Sequence, residues 1–126
     1  MHESWTLDHD GPGTPIPAET VTRALRARIA EGYLEIWLTS SAGRSLALVT
    51  NTRRAMVMLL DDEGDPGEHA VTSGAQGWSY GFVLTSGQHD TYPDADTVPL
   101  TDALTLASHI VRAGNWPSDA TRVTDR

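Results

Sequence analysis

The sequence predicts an α+β fold: a mainly antiparallel sheet of about five to seven strands with two helices packed on one face. Three observations carry this. Two segments, one near each end, repeat apolar residues at helical spacing. Between them lie about five short apolar runs separated by turns rich in Gly, Pro, Ser and Asp. Strands joined by turns this short pair as an antiparallel meander. The 126 residues make one ordinary domain, 1–126, with a partly irregular N-terminal segment (1–16) and a tail (117–126). A domain of this size buries roughly two-thirds of its unfolded surface, so it needs no metal or disulfide staple.

Residues 3–8 alternate weakly, with Trp5 and Leu7 on one side of a short strand. His9 to Pro15 is a Gly- and Pro-rich turn. Pro17 suits a first helical turn, where its missing N–H costs nothing. Val21, Leu25 and Ile29 then recur every four residues beside Ala24, giving a helix to about Glu31 with Gly32 as its left-handed cap. Arg23, Arg26 and Arg28 fall off that stripe. From Tyr33 to Thr39, Leu34, Ile36 and Leu38 alternate with Glu35 and Trp37, as in a strand with one buried face. Ser45–Thr50 and Arg54–Asp61 are the next two strands. The second is almost continuously apolar and belongs at the sheet centre.

A polar loop over 62–67 leads to a short strand at Glu68–Thr72 and a turn over 73–77. Trp78–Thr85 follows as a strand with Phe82 and Leu84 on one face, and His89–Tyr92 as a brief edge strand. Thr101 is the expected N-cap of the last helix, with Asp102 in its positive first turn. Ala103, Leu104, Leu106, Ala107, Ile110 and Val111 form its wide stripe, and Gly114 ends it. A final short strand is expected at Arg122-Val123.

Composition removes whole classes of chemistry. There is no cysteine, hence no disulfide, thiol nucleophile or Cys-type zinc site. All nine basic residues are arginine, so Schiff-base chemistry, a P-loop lysine and a Ser-Lys dyad are absent too. The formal net charge is −8 and the pI about 4.8. Such a chain repels nucleic acid and anionic membranes on average and attracts a basic protein. The opening Met1-His2-Glu3-Ser4-Trp5 has no basic n-region or apolar h-region, and no run approaches the roughly 20 residues of a membrane span. A cytoplasmic location is expected, with no nucleic-acid or membrane partner.

The motifs that imitate catalysis lack their context. Gly77-Trp78-Ser79-Tyr80-Gly81 matches a G-x-S-x-G nucleophile elbow, which needs a preceding strand and a following helix; here a turn precedes and a strand follows. Asp61, Glu63 and Asp65 resemble the start of a calcium loop, but Pro66 and Thr72 stand where Gly and Glu are required. His2, His9, His69, His89 and His109 show no metal-ligand spacing. His89 and Asp90 are neighbours on a strand and point to opposite faces. No enzyme activity, cofactor or metal is expected.

Interaction chemistry remains. Trp37, Trp78, Tyr80 and Tyr92 are candidates for partial exposure, flanked in sequence by two acidic clusters that include Glu68 and Asp96. Aromatics ringed by charge anchor protein interfaces. The expected partner-binding residues are Asp61, Asp62, Glu63, Asp65, Trp78, Tyr80, His89, Asp90, Tyr92 and Asp94. The plainer alternative places the rings in the core and the acids in bulk water.

Phe82 to Pro93 carries a strand and then a Gly-x-x-x-x-aromatic-Pro turn at Gly87–Pro93. Val98-Pro99-Leu100-Thr101-Asp102-Ala103 leads into a helix, and Arg112 to Pro117 leaves it through a Gly-x-x-Pro turn. In order and spacing these segments resemble the first-numbered immunity-protein family of bacterial polymorphic toxin systems. The resemblance spans roughly residues 45–123. Members of that family often end in Trp after the final strand, where this chain has Thr124-Asp125-Arg126. The resemblance implies an immunity-protein-like α+β domain that binds and neutralises a toxin domain made by the same cell. Toxins paired with the family are often nucleic-acid deaminases, basic near the active site. The free form is expected to be a monomer or weak dimer. This chain lacks the cysteines of the deaminase zinc signature and so is not itself the deaminase. A non-catalytic regulatory domain with another protein partner is the alternative.

Overall fold

The computed structural model describes residues 3–8, 15–62 and 64–125. Strands β1 (Trp5–Leu7), β2 (Glu35–Ser40), β3 (Ser45–Thr50), β4 (Arg54–Leu60) and β5 (Glu68–Ala70) pair antiparallel in that order. Beyond β5 the sheet is closed by β9 (Arg122–Thr124), and β8 (Val98–Pro99) pairs with the start of β4. Two further strands, β6 (Trp78–Val83) and β7 (His89–Pro93), form a separate ribbon. The expected meander therefore stops at β5: the segment from Trp78 leaves the sheet plane. The Gly- and Pro-rich residues 9–14 and Glu63 lie outside the described residues.

The two helices cover one face. A 3-10 turn (Ala18–Thr20) leads into α1 (Val21–Ala30), and α2 (Leu100–Ala113) packs on α1, β3 and β4. Strict alternation in β4 sends Ala55, Val57 and Leu59 to this side. There they join Leu46 and Leu48 of β3, and Ala103, Leu104, Ala107, Ile110 and Val111 of α2. Each buried aliphatic side chain of this kind contributes about 1.5–3 kcal/mol. Trp5, Leu7 and Trp116 belong to the same core, so the segment just before the tail is tightly held. Gly114, at φ +81°, ends α2 in the left-handed conformation, and its N–H donates to Ile110 O at 2.8 Å.

The start of α2 differs from expectation. Leu100 is its first residue, Pro99 stands at the cap, and Thr101 lies inside the first turn. The reason is tertiary: Leu100 N–H donates to Arg53 O at 2.9 Å, so the β3–β4 turn does what a capping hydroxyl would do.

The β6–β7 ribbon lies across the other face of the sheet. Ala47, Val49 and Phe82 are buried there, apart from the helix-side core. Val49 sits in register between Glu35 and Met56. Glu35 fastens the ribbon by accepting Thr85 N–H at 2.8 Å, while its other oxygen accepts Trp37 Nε1–H from its own strand at 2.9 Å. Those two bonds, the backbone one first, hold its carboxyl below the usual carboxylate range.

Candidate interaction surface

One irregularity decides which ribbon side chains meet solvent. Ser79 pairs with Tyr92, but Phe82 pairs with Asp90, so β6 carries one residue more than β7 across this stretch. That is a β-bulge, and Gly81 supplies it at φ +92°. Residues 78, 80 and 82 would share a face in a regular strand. The bulge breaks the alternation. Phe82 turns inward, fully buried and edge-on to Tyr92 at 4.8 Å, while Trp78 and Tyr80 remain outward, 66% and 80% exposed.

These two rings border a cleft of about 510 Å³, shared with Asn51, Arg53, Arg54, Ser79 and Gly81. Asn51 Nδ2–H donates to Tyr80 O at 2.9 Å and ties the bulge to the β3–β4 turn. Arg54 lies beneath as a knot. Its guanidinium donates to Thr97 Oγ1 at 2.6 Å, Thr97 O at 3.0 Å, Thr72 Oγ1 at 3.2 Å and Asp94 O at 3.3 Å. Arg53 is exposed at the rim, and its guanidinium has no hydrogen bond or ion pair among the described residues. Arg54 opens β4, whereas Arg53 belongs to the turn before it and stays exposed. Asn51 and Arg53 were not among the expected site residues. The Asn51-Thr52-Arg53-Arg54 turn was the available signal, but only the tertiary fold sets it beside the ribbon.

The acidic residues fall elsewhere. Asp61, Asp62 and Asp65 occupy the β4–β5 loop, at the far end of β4 from Arg54. Seven strand residues put roughly 20 Å between the loop and the aromatic cleft. Asp61 reaches Arg44 Nε at 3.2 Å, and Asp62 is exposed. Asp65 turns into its own loop, accepting Asp61 N–H at 2.9 Å and Gly67 N–H at 3.2 Å. Asp94 also faces inward: it takes the Ser79 hydroxyl and lies 3.9 Å from Arg54 Nε. Asp90 accepts Gln88 Nε2–H at 2.7 Å and the Tyr92 hydroxyl at 2.8 Å. Burial, then Asp90, pushes the Tyr92 phenol up to about 12. Tyr92 itself is half-buried under Phe82, and His89 is exposed where β7 begins. The expected residues thus form two patches, with Trp78 and Tyr80 beside arginines and not inside an acidic ring.

Sequence reasoning also passed over His69. Its Nδ1 meets Asp125 Oδ2 at 2.9 Å and its Nε2 meets Asp96 Oδ1 at 3.0 Å. This ties β5 and the C-terminal strand to the 3-10 turn Asp94–Asp96. Burial alone would lower the imidazole pKa, but the bonds to Asp125 and Asp96 outweigh it and raise it above 6.5. Held between two carboxylates, the ring clamps the fold, and the imidazolium, with both nitrogens as donors, suits it best.

Ser79 follows a turn and sits in a strand, with no helix after it, so the G-x-S-x-G match is not an elbow here. Among the described residues, no three His, Asp or Glu side chains converge as metal ligands. No helix among them is long and apolar enough to cross a membrane. No family model and no curated protein matches the chain.

Proposed function

We propose that this chain is an immunity-type protein: a non-catalytic, cytoplasmic inhibitor that binds a bacterial toxin domain stoichiometrically and blocks it. The observation that supports this most is the pair of large rings, Trp78 and Tyr80, held in solvent by a bulge on a fastened ribbon. Leaving two such side chains outside forgoes several kcal/mol of burial, a cost that interface function explains. The order of turns from Phe82 to Pro117, which resembles the immunity family, supplies the kind of partner. The charge of −8 suits a toxin that is basic where it grips nucleic acid, a deaminase among them. Protection requires nearly every toxin molecule to be occupied, which means nanomolar affinity or better, about −12 kcal/mol.

The test is co-expression with any toxin domain found encoded beside this gene. Restored growth together with an equimolar complex on gel filtration is the expected result. Cells that die while the chain is folded and abundant would remove the toxin as partner.

A further inference from the structure

We infer that the Trp78–Tyr80 cleft receives an acidic side chain of the partner protein, its carboxylate on Arg53 and its neighbours on the two rings. This rests on the reading of that surface as an interface, and it adds the chemistry of what the interface holds.

The charge inventory of the cleft points this way. Arg54 spends its donors on Thr72, Asp94 and Thr97, and the Asp94 carboxylate 3.9 Å away offsets its charge. That carboxylate is itself occupied by Ser79. At the mouth the uncompensated group is the exposed guanidinium of Arg53. A planar guanidinium presents a fork of N–H donors that matches a carboxylate bidentately. Trp, Tyr and Arg are also the three residue types that dominate protein hot spots. A cleft of about 510 Å³ has room for a Glu side chain with part of its backbone.

A polyanion fits less well. Binding nucleic acid means neutralising several phosphates, while the mouth offers one arginine unpaired among the described residues, on a chain with 17 acidic and nine basic residues. A second copy of the chain meets the same −8 repulsion. The occupant that satisfies both scales is a single carboxylate set in an otherwise basic protein surface. Overall charge then sets the approach, and Arg53 sets the register.

The test uses the isolated chain, labelled with nitrogen-15, and short probes. Acetyl-Gly-Glu-Leu-Glu-Gly-amide should give saturable shifts at the Trp78 indole N–H and the Arg53 guanidinium N–H at millimolar concentration. The same peptide with Lys for Glu should give none. Arg53→Gln should weaken the acidic peptide about two- to fivefold, the range of an exposed charge pair, and Trp78→Ala should abolish the shifts. The inference is overturned if the lysine peptide binds as well, or if no peptide shifts these resonances. It is also overturned if a ten-residue oligo-dT shifts them at lower concentration, or if they move with protein concentration alone, which would make a second copy the occupant. A chain that protects cells but fails this titration loses the carboxylate and keeps the function. One that passes the titration but protects no cell loses only the toxin.

Discussion

Phe82 and Tyr80 stand two positions apart on one strand, and the bulge between them should give their removal opposite consequences. Phe82 is fully buried, edge-on to Tyr92 at 4.8 Å. Phe82→Ala leaves a cavity between ribbon and sheet that the fastened ends of the ribbon keep from collapsing. Truncating a buried ring of this kind costs about 3–5 kcal/mol. A domain of this size has on the order of 5–15 kcal/mol in all and loses about 3–5 °C of Tm per kcal/mol, so the variant should melt roughly 10–20 °C lower. Tyr80 is 80% exposed, and it is tied inward through its backbone carbonyl, which accepts from Asn51. Tyr80→Ala should change stability by less than about 0.5 kcal/mol. Urea unfolding followed by far-ultraviolet circular dichroism measures both. Equal losses for the two variants would mean that Tyr80 is packed, and the inside–outside division drawn from the bulge would fail.

Gly81→Ala places a Cβ at φ +92° with an ordinary 3.7 Å contact to Asn51 Cβ, so the loss should be conformational only, about 1–2 kcal/mol by urea unfolding; a neutral result would refute the left-handed bulge. The His69 clamp binds the imidazolium, so its stabilisation is fully present below pH 6.5 and disappears as pH rises through the elevated folded value. His69→Gln should therefore lower the urea midpoint more at pH 5.5 than at pH 8.5, and equal losses would contradict the clamp. An absorbance titration of the wild type minus Tyr92→Phe should isolate one phenol ionising near pH 12. Asp90→Asn should bring that ionisation down, whereas an unchanged curve would break the Asp90–Tyr92 pairing.

The main sheet and both helices were readable because their residues bury one face at a regular period. Leu46 and Leu48, Ala55, Val57 and Leu59, and the α2 stripe are where periodicity puts them. The ribbon was legible as two strands but not as a separate layer. Its departure depends on Glu35 taking Thr85 N–H and on the Arg54 knot, contacts between residues 40 or more positions apart. The bulge was hidden because Gly81 reads equally well as a weak strand residue. At the site, Trp78 and Tyr80 were marked by their type and are exposed. The acids were grouped with them by proximity in sequence, whereas β4 carries Asp61, Asp62 and Asp65 to its other end and hydrogen bonding turns Asp65 and Asp94 inward. Arg53 was marked only by its place in the Asn51–Arg54 turn, since a cation's significance lies in whether its neighbours neutralise it.

The most direct test is the affinity of the proposed partner, a purified toxin domain, for the Trp78→Ala/Tyr80→Ala double variant, measured by titration calorimetry beside the wild type. Both side chains lie outside the core, so the variant should melt as the wild type does. Its Kd should rise at least about a hundredfold, the loss of two interface anchors. An unchanged Kd, with the variant folded and the complex still equimolar, would show that the partner docks elsewhere.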